Sequence, residues 1–357
     1  MITYKYKLYH NDRNKVLQAT LAEACCVWNH CLALQKRYYS LYGKYIKRFT
    51  LVKHMTKVWH RQYLGSQSLQ EVVERLDKSY TRFFKHTSKR PPKFKRRSDF
   101  ASFVYKQCGY KFEDNRVTLT LGKERITFKF SKSRDFQGTV KTVAVKRNHL
   151  NEYFLVIVTD ACPQAIVKSH NGACVGIDFG LKTYLTMSDG TKLENPRFLQ
   201  HSLNEVKKAS RKLSRCKKGS NHREQARLAY CRLQQHLVNK RTDFQWKLAH
   251  ELCKQYDFIF LEDLSLQGMT KLWGRKMSDL AHYSFTQILG QAALKYGVTV
   301  HKIDRFYASS RLCECGFKND SLTLRDRQWV CPRCGQVYDR DVLAANNIPE
   351  GHFRIGE

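Results

Sequence analysis

Two cysteine pairs near the end of the chain, Cys313-Glu-Cys315 and Cys331-Pro-Arg-Cys334, constrain its fold more than any other feature. Fifteen residues separate them. Two short thiol knuckles at that distance read as a zinc ribbon, because Zn²⁺ favours four soft ligands in a tetrahedron. Directly afterwards, Tyr338-Asp339-Arg340-Asp341-Val342-Leu343 opens a helix with two acidic residues at its start. Two readings of Asp341 fit. A folded metal knob can hold a catalytic carboxylate in place, or a purely structural zinc site can precede an N-cap aspartate. The segment alone leaves that choice open.

Charge narrows the partners. Sixty-four Lys and Arg stand against thirty-one Asp and Glu, a net charge of +33 in 357 residues. Self-repulsion on that scale fits a protein whose usual partner is a polyanion, so nucleic acid leads. No apolar run approaches the ~20 residues needed to span a bilayer, so no membrane partner is expected. The first nine residues alternate like a strand and do not resemble a signal peptide. The nine cysteines outside the two pairs therefore read as reduced thiols in a cytosolic or nuclear setting. The length allows two or three domains.

Periodicity gives an α/β order. Ile2, Tyr4, Tyr6 and Leu8 alternate as a half-buried strand, and residues 12–48 change to helical spacing through Leu17, Leu21, Trp28 and Leu32. A second helix carries Leu69, Val72, Val73, Leu76, Tyr80, Phe83 and Phe84 on one face. Residues 85–97 hold seven basic residues and no acid, and Pro91-Pro92 prevents a continuous helix there. Strands return at 117–121, 126–130, 140–145 and 153–158. The simplest topology places the first strand in this β unit, with the helices inserted into it. A linker is expected over 161–171, then strands at 173–179 and 183–187, basic helices over 203–253, a strand at 256–262, a helix at 278–296 and a strand at 298–303.

Three carboxylates stand at comparable places. Asp178 ends the run Val175-Gly176-Ile177-Asp178, Glu262 ends Phe258-Ile259-Phe260-Leu261-Glu262, and Asp341 opens the last helix. Strand ends and helix starts are where distant segments converge on one site. The glycines beside Asp178 are expected to let a ligand or metal approach the backbone. Three acids meeting in a basic protein suggest two Mg²⁺ ions for phosphodiester hydrolysis, while the thiols keep Zn²⁺. The plainer alternative is that Glu262-Asp263 merely begins a loop; Asp189 beside Gly190 is a turn residue.

These motifs in this order resemble the TnpB family of transposon-encoded proteins, related to compact type V CRISPR effectors. The likeness rests on Gly176-Ile-Asp178-Phe-Gly180, Phe260-Leu-Glu262-Asp, the cysteine pairs and Asp339-Arg-Asp341-Val-Leu-Ala-Ala-Asn-Asn-Ile348. It continues through Leu76-Asp-Lys-Ser-Tyr80-Thr-Arg-Phe-Phe84, Pro92-Lys-Phe-Lys95, Arg211-Lys-Leu-Ser-Arg215 and Arg241-Thr-Asp-Phe244. The resemblance implies an RNase H-like (RuvC) nuclease domain over 171–308 and 337–357, with a zinc-ribbon insertion at 309–336. It also implies a β-barrel wedge domain over 1–10 and 98–165, carrying a helical recognition insertion at 11–97.

By the same resemblance, Asp178, Glu262 and Asp341 are catalytic and hold two Mg²⁺ ions, and Cys313, Cys315, Cys331 and Cys334 hold one Zn²⁺. The implied activity is RNA-guided DNA cleavage by a prokaryotic cytosolic, monomeric ribonucleoprotein. Its partners would be a guide RNA (omega RNA) and double-stranded target DNA marked by a short adjacent motif. A DNA-binding repressor without cleavage and an RNA-independent RuvC-like nuclease are the alternatives.

Two departures from the family pattern stand out. Only Glu314 lies between Cys313 and Cys315 where two residues are usual, and Leu343 stands where Asn is common. The first leaves open whether the knuckle still holds zinc; the second removes a hydrogen bond near the ligands. Nucleic-acid contacts are assigned by analogy to Lys93, Lys95, Arg96, Tyr105, Gln107, Arg211 and Arg215. Phe94, Phe103, Tyr105 and Tyr110 are candidate stacking rings. Arg327 is placed either at the scissile phosphate or on the surface.

Overall fold

Alternation at the start of the chain produces the expected strand: in β1 (Ile2–Leu8), Tyr4, Tyr6 and Leu8 are buried and the residues between them are not. In the computed structural model the described residues are 1–162, 164, 166, 168–263, 274, 279–304, 307–323 and 326–354, without the side chains of 352–354. The chain divides into two units, Met1–Cys162 and Pro163–Glu357. Of the expected elements, positions 163, 165 and 167 of the linker, residue 278 of the helix, 324 and 325 of the zinc-ribbon insertion, and 264–273, 275–278, 305–306 and 355–357 of the nuclease domain lie outside the described residues.

In the first unit, helices α1 (Asn14–Tyr42), α2 (Arg48–Val58) and α3 (Ser66–Phe84) follow β1. Helix α1 stops six residues short of its expected end at residue 48 because Gly43 adopts φ +61° and caps it through Tyr39 O. Strands β2 (Ser102–Tyr105), β3 (Tyr110–Glu113), β4 (Arg116–Leu121), β5 (Glu124–Ser131), β6 (Val140–Arg147) and β7 (Tyr153–Thr159) complete it. They form a curled antiparallel sheet in the order β2-β6-β7-β1-β5-β4-β3. Strand β1 lies between β7 and β5, so the helices are inserted after the first strand of the sheet. No ladder between the outer strands β2 and β3 occurs among the described residues; the Tyr105 hydroxyl donates to Thr120 O beside them, at 2.8 Å. Leu17, Trp28, Leu69 and Val72 share one core with Tyr6, Phe103, Leu119 and Ile157.

The second unit is built on β8 (Cys174–Asp178), β9 (Thr183–Met187), β10 (Lys192–Glu194), β11 (Phe258–Glu262) and β12 (Thr299–Ile303). Sheet order is β10-β9-β8-β11-β12, with β8, β11 and β12 parallel and the other pairings antiparallel. Between β10 and β11 run α4 (Phe198–His201), α5 (Leu203–Arg215) and α6 (Asn221–Gln255); α7 (His282–Tyr296) precedes β12. A hairpin of β13 (Gln328–Val330) and β14 (Val337–Asp339) leads into α8 (Arg340–Arg354).

Period-two alternation sorts the parallel strands. Val175, Ile177, Ile259 and Leu261 pack on the α6 and α7 side with Ala249, Leu252, Phe285 and Leu289. Phe260 and Ile303 face the other way, onto Ile348 of α8. Among the described residues, no helix is long and apolar enough to cross a membrane.

Candidate active site and metal centre

The same alternation places two of the acids. Gly176 and Asp178 point away from the side occupied by Val175 and Ile177, as Phe260 and Glu262 do from that of Ile259 and Leu261. In the parallel register Phe260 pairs with Gly176 and Leu261 with Ile177, so Glu262 and Asp178 each follow one residue later on neighbouring strands. Both therefore end their strands on the face covered by α8, whose first turn carries Asp341.

Helix α8 reaches that position through a close approach. A Cβ on Gly176 would overlap Ala345 O and lie 2.6 Å from Pro349 Cδ. Pro349 has no N–H for the carbonyl four residues earlier, so Ala345 O is left without its helical partner and lies over Gly176. This corrects the expected role of the glycine: the space at Gly176 is filled by the helix that carries Asp341, not by a ligand. Gly180 lies under Thr183 O of its own hairpin, where a Cβ would be 2.7 Å from that oxygen.

At the start of α8, Asp339 Oδ1 accepts from the amides of Asp341 at 3.1 Å and Val342 at 3.2 Å. Asp339 is thus the N-cap, which leaves the Asp341 carboxylate free for another role. Lys192 Nζ holds the second oxygen of Asp339 at 2.6 Å.

Asp178 feels the other two carboxylates. Desolvation, with the charges of Glu262 and Asp341, pushes Asp178 up to about 8, against the opposing pull of Arg340. Glu262 is also raised by burial, while a hydrogen bond donated by Ser309 holds it down. Arg327 Nη1 lies 3.4 Å from both carboxylate oxygens of Asp341. Asp341 is thus paired with Arg327 and Glu262 with Ser309. Among the described residues only the four cysteines bring their ligand atoms, as a group, within 4.8 Å of one another. Carboxylate oxygens are nonetheless the hard donors a divalent cation such as Mg²⁺ takes.

Two residues here were not anticipated. Ser309, 5% exposed, donates to Glu262 Oε1. Asn347 of α8, 2% exposed, donates through Nδ2 to Ser309 O and Leu312 O, each at 2.7 Å. Asn347 therefore fastens the Ser309 turn to the helix of Asp341, joining the Glu262 and Asp341 supports. The Asn-Asn pair at 346–347 was the one local sign.

The four thiols converge despite the short first knuckle. Sγ atoms of Cys313, Cys315, Cys331 and Cys334 all lie within 4.8 Å of one another, with Cys313 to Cys334 at 3.5 Å and Cys315 to Cys331 at 3.7 Å. Gly316, at φ +82°, turns the chain after Cys315. Burial raises the Cys313 thiol, but the Tyr338 hydroxyl at 3.2 Å and the neighbouring sulfurs outweigh it and bring it down to about 6. At Cys334 the Gln336 amide pulls downward, yet desolvation and the other three sulfurs push it up to about 12. Four crowded sulfurs cannot all ionise without a cation among them, and this donor set fits Zn²⁺. Leu343, 1% exposed, packs with Cys313, Trp329, Cys331 and Tyr338, so an apolar residue at that position serves the ribbon's core.

The expected nucleic-acid residues divide. Tyr105 is 1% exposed with its hydroxyl bonded to Thr120 O, and Phe103 is fully buried, so neither ring is open to a base; both are core residues. Lys95 is half-buried, with Nζ 4.0 Å above the Trp28 ring and its main chain bonded to Asn29. Lys93, Arg96 and Gln107 are exposed, although Lys93 O accepts from Trp28 Nε1 at 3.1 Å. Arg211 and Arg215 are exposed on α5, lining a shallow concavity with Lys207, Lys208 and Lys212.

The family model OrfB_IS605, described as "Probable transposase", matches residues 157–272, and one described as "Cas12f1-like, TNB domain" matches 282–348. A solved Cas12f1-sgRNA-target DNA complex contains a chain of similar fold, at TM-score 0.63 and 14% identity, covering 96% of this chain and 83% of that one. The chain thus has a mixed α/β fold resembling that of the Cas12f1 chain, with four cysteines that could hold a metal. A Streptomyces pristinaespiralis protein named "Putative RNA-guided DNA endonuclease" is 30% identical over 97% of this chain and 88% of its own length. TnpB-like protein L79 of Acanthamoeba polyphaga mimivirus is 23% identical over 62% of this chain and 45% of its own. The chain belongs to the TnpB family.

Proposed function

We propose that this protein is an RNA-guided DNA endonuclease that hydrolyses phosphodiester bonds in a target paired with its guide. The observation that carries the proposal is the placement of Asp178 and Glu262 at the same end of neighbouring parallel strands, with Asp341 in the first turn of the helix that covers that face. Those three carboxylates would hold a pair of Mg²⁺ ions, which in such sites activate water and stabilise the leaving oxygen.

The chain's own part is positioning. Ser309 fixes the direction of the Glu262 carboxylate, and Asn347 fixes Ser309. Asp339 caps α8 so that Asp341 stays available, and Arg327 offers a cation beside Asp341 for a phosphate. Cys313, Cys315, Cys331 and Cys334 would hold one Zn²⁺, keeping the β13–β14 hairpin rigid ahead of α8.

The partners in this reading are a guide RNA and double-stranded target DNA. Exposed basic residues Lys93, Arg96, Arg211 and Arg215 would contact phosphates, consistent with the net charge of +33. The test is to purify the protein with its RNA, sequence that RNA, and add Mg²⁺ and DNA matching its guide. Cut DNA is expected. Intact DNA at saturating binding would instead support a binder without cleavage, and cutting without bound RNA an unguided nuclease.

A further inference from the structure

Helix α1 outruns the core it packs on. Its buried residues end at Gln35, and every residue from 36 to 44 is exposed. The projecting turns are nonetheless aromatic. They carry Tyr38, Tyr39, Leu41 and Tyr42, with Tyr39 63% and Tyr42 62% exposed. Spacings of three and four residues set the three rings in one stripe, and the Tyr38 and Tyr42 centroids lie 4.7 Å apart. Arg37, Lys44 and Lys47 are exposed around them.

This tip is held at its base. Gly43 caps α1 by donating to Tyr39 O at 2.8 Å. The Gln35 side chain brackets Ile46, donating to its carbonyl at 2.8 Å and accepting from its amide at 3.0 Å. Tyr45 then donates to Asp77 of α3 at 2.9 Å and meets the Tyr80 and Phe84 rings edge to face. Rings presented on a fixed support lose little freedom when a partner binds.

Charge selects the partner. No Asp or Glu occurs between Glu23 and Glu71, whereas eight Lys or Arg do. A second copy docked through the same patch would set Arg37, Lys44 and Lys47 against their own counterparts, with a net charge of +33 on each chain, so like charges oppose it. Unpaired nucleotides meet both features, because their bases stack on the rings while their phosphates meet the cations. An uncovered aromatic tip invites self-association, which suits a partner that stays bound, an RNA rather than a passing DNA target.

We propose that the α1 tip is a stacking platform for unpaired nucleotides of the RNA this protein carries, with Tyr39 and Tyr42 as its outer rings. The proposal rests on the resident RNA of the proposed function and not on cleavage.

Ultraviolet irradiation of the purified ribonucleoprotein, followed by nuclease and trypsin, tests this. Trypsin cuts after Arg37 and Lys44, so Tyr38–Lys44 emerges as one peptide with all three rings. Mass spectrometry should find a ribonucleotide adduct on it. With the bound RNA labelled and excess unlabelled copies added, Tyr42→Ala should release RNA about tenfold faster than wild type. Tyr42→Phe, which keeps the ring, should release it at the wild-type rate. Ribonucleotide adducts elsewhere but none on this peptide would overturn the platform alone, as would unchanged release from the Tyr39→Ala, Tyr42→Ala double variant. A deoxyribose adduct there that forms only with target DNA, or a dimer that the double variant dissociates, would overturn RNA as the occupant. Protein purified without RNA would overturn the platform together with the RNA-guided reading.

Discussion

The carbonyl oxygen of Ala345 occupies the place where a side chain would begin on Gly176. This approach seats α8 on β8 and brings Asp341 to the end of the strand that carries Asp178. Gly176→Ala should therefore push the helix outward. The expected result is a stability loss of about 1–3 kcal/mol in denaturant titration, from overpacking against backbone that cannot move aside. DNA cleavage should fall disproportionately, with RNA retention unchanged. Wild-type cleavage in that variant would break the link between the two residues.

Asn347 supports Glu262 through Ser309. Asn347→Ala leaves two carbonyls inside the fold without donors, a loss of about 1–3 kcal/mol. Cleavage measured against Mg²⁺ concentration should show a half-maximal requirement about 10–100-fold higher, the usual effect of losing a ligand's support. An unchanged Mg²⁺ requirement would make Asn347 a packing residue only.

Proton linkage follows from the raised acids. Asp178 titrates at about 8 in the folded chain, above its ordinary range, because of desolvation and the nearby Glu262 and Asp341 charges. Between the two pKa values the folded state binds more protons than the unfolded state, so this group's contribution to stability declines as pH rises from about 4 to about 8. Without divalent cations, the melting temperature of Asp178→Asn should decline less over that range than that of wild type. Adding Mg²⁺ at pH 8 should raise the wild-type melting temperature and affect the variant less. Equal pH slopes would remove the electrostatic coupling from the account.

The thiol cluster makes a separate prediction. Metal analysis of purified protein should find about one zinc per chain, and Cys315→Ser should lose it. Because the ribbon core includes Leu343 of α8, zinc loss should also lower cleavage. Fully active, zinc-free wild-type protein would mean that the short knuckle no longer binds metal.

Much of this site was legible in the chain because its acids end apolar runs whose alternation survives in the fold. Asp178 and Glu262 follow Ile177 and Leu261, and parity alone puts them on one face. The role of Gly176 was misread because the helix that fills its space lies 169 residues later in sequence, as far as Ala345. Tyr105 was misread as a stacking ring because a period-two strand of four residues, Ser102–Tyr105, is too short to reveal which face is inward. Helix α2 went unseen because only Leu51 and Met55 are buried along it. Ser309 and Asn347 work through hydrogen bonds spanning 47 and 38 residues, which local spacing cannot encode.

The most direct measurement compares DNA cleavage by ribonucleoproteins carrying Asp178→Ala, Glu262→Gln or Asp341→Ala with wild type, at saturating Mg²⁺ and matched RNA content. Each single change should abolish cutting while leaving bound RNA and target binding intact, since each removes one oxygen donor from a shared metal site. Cleavage persisting in any one of the three would contradict the three-carboxylate site.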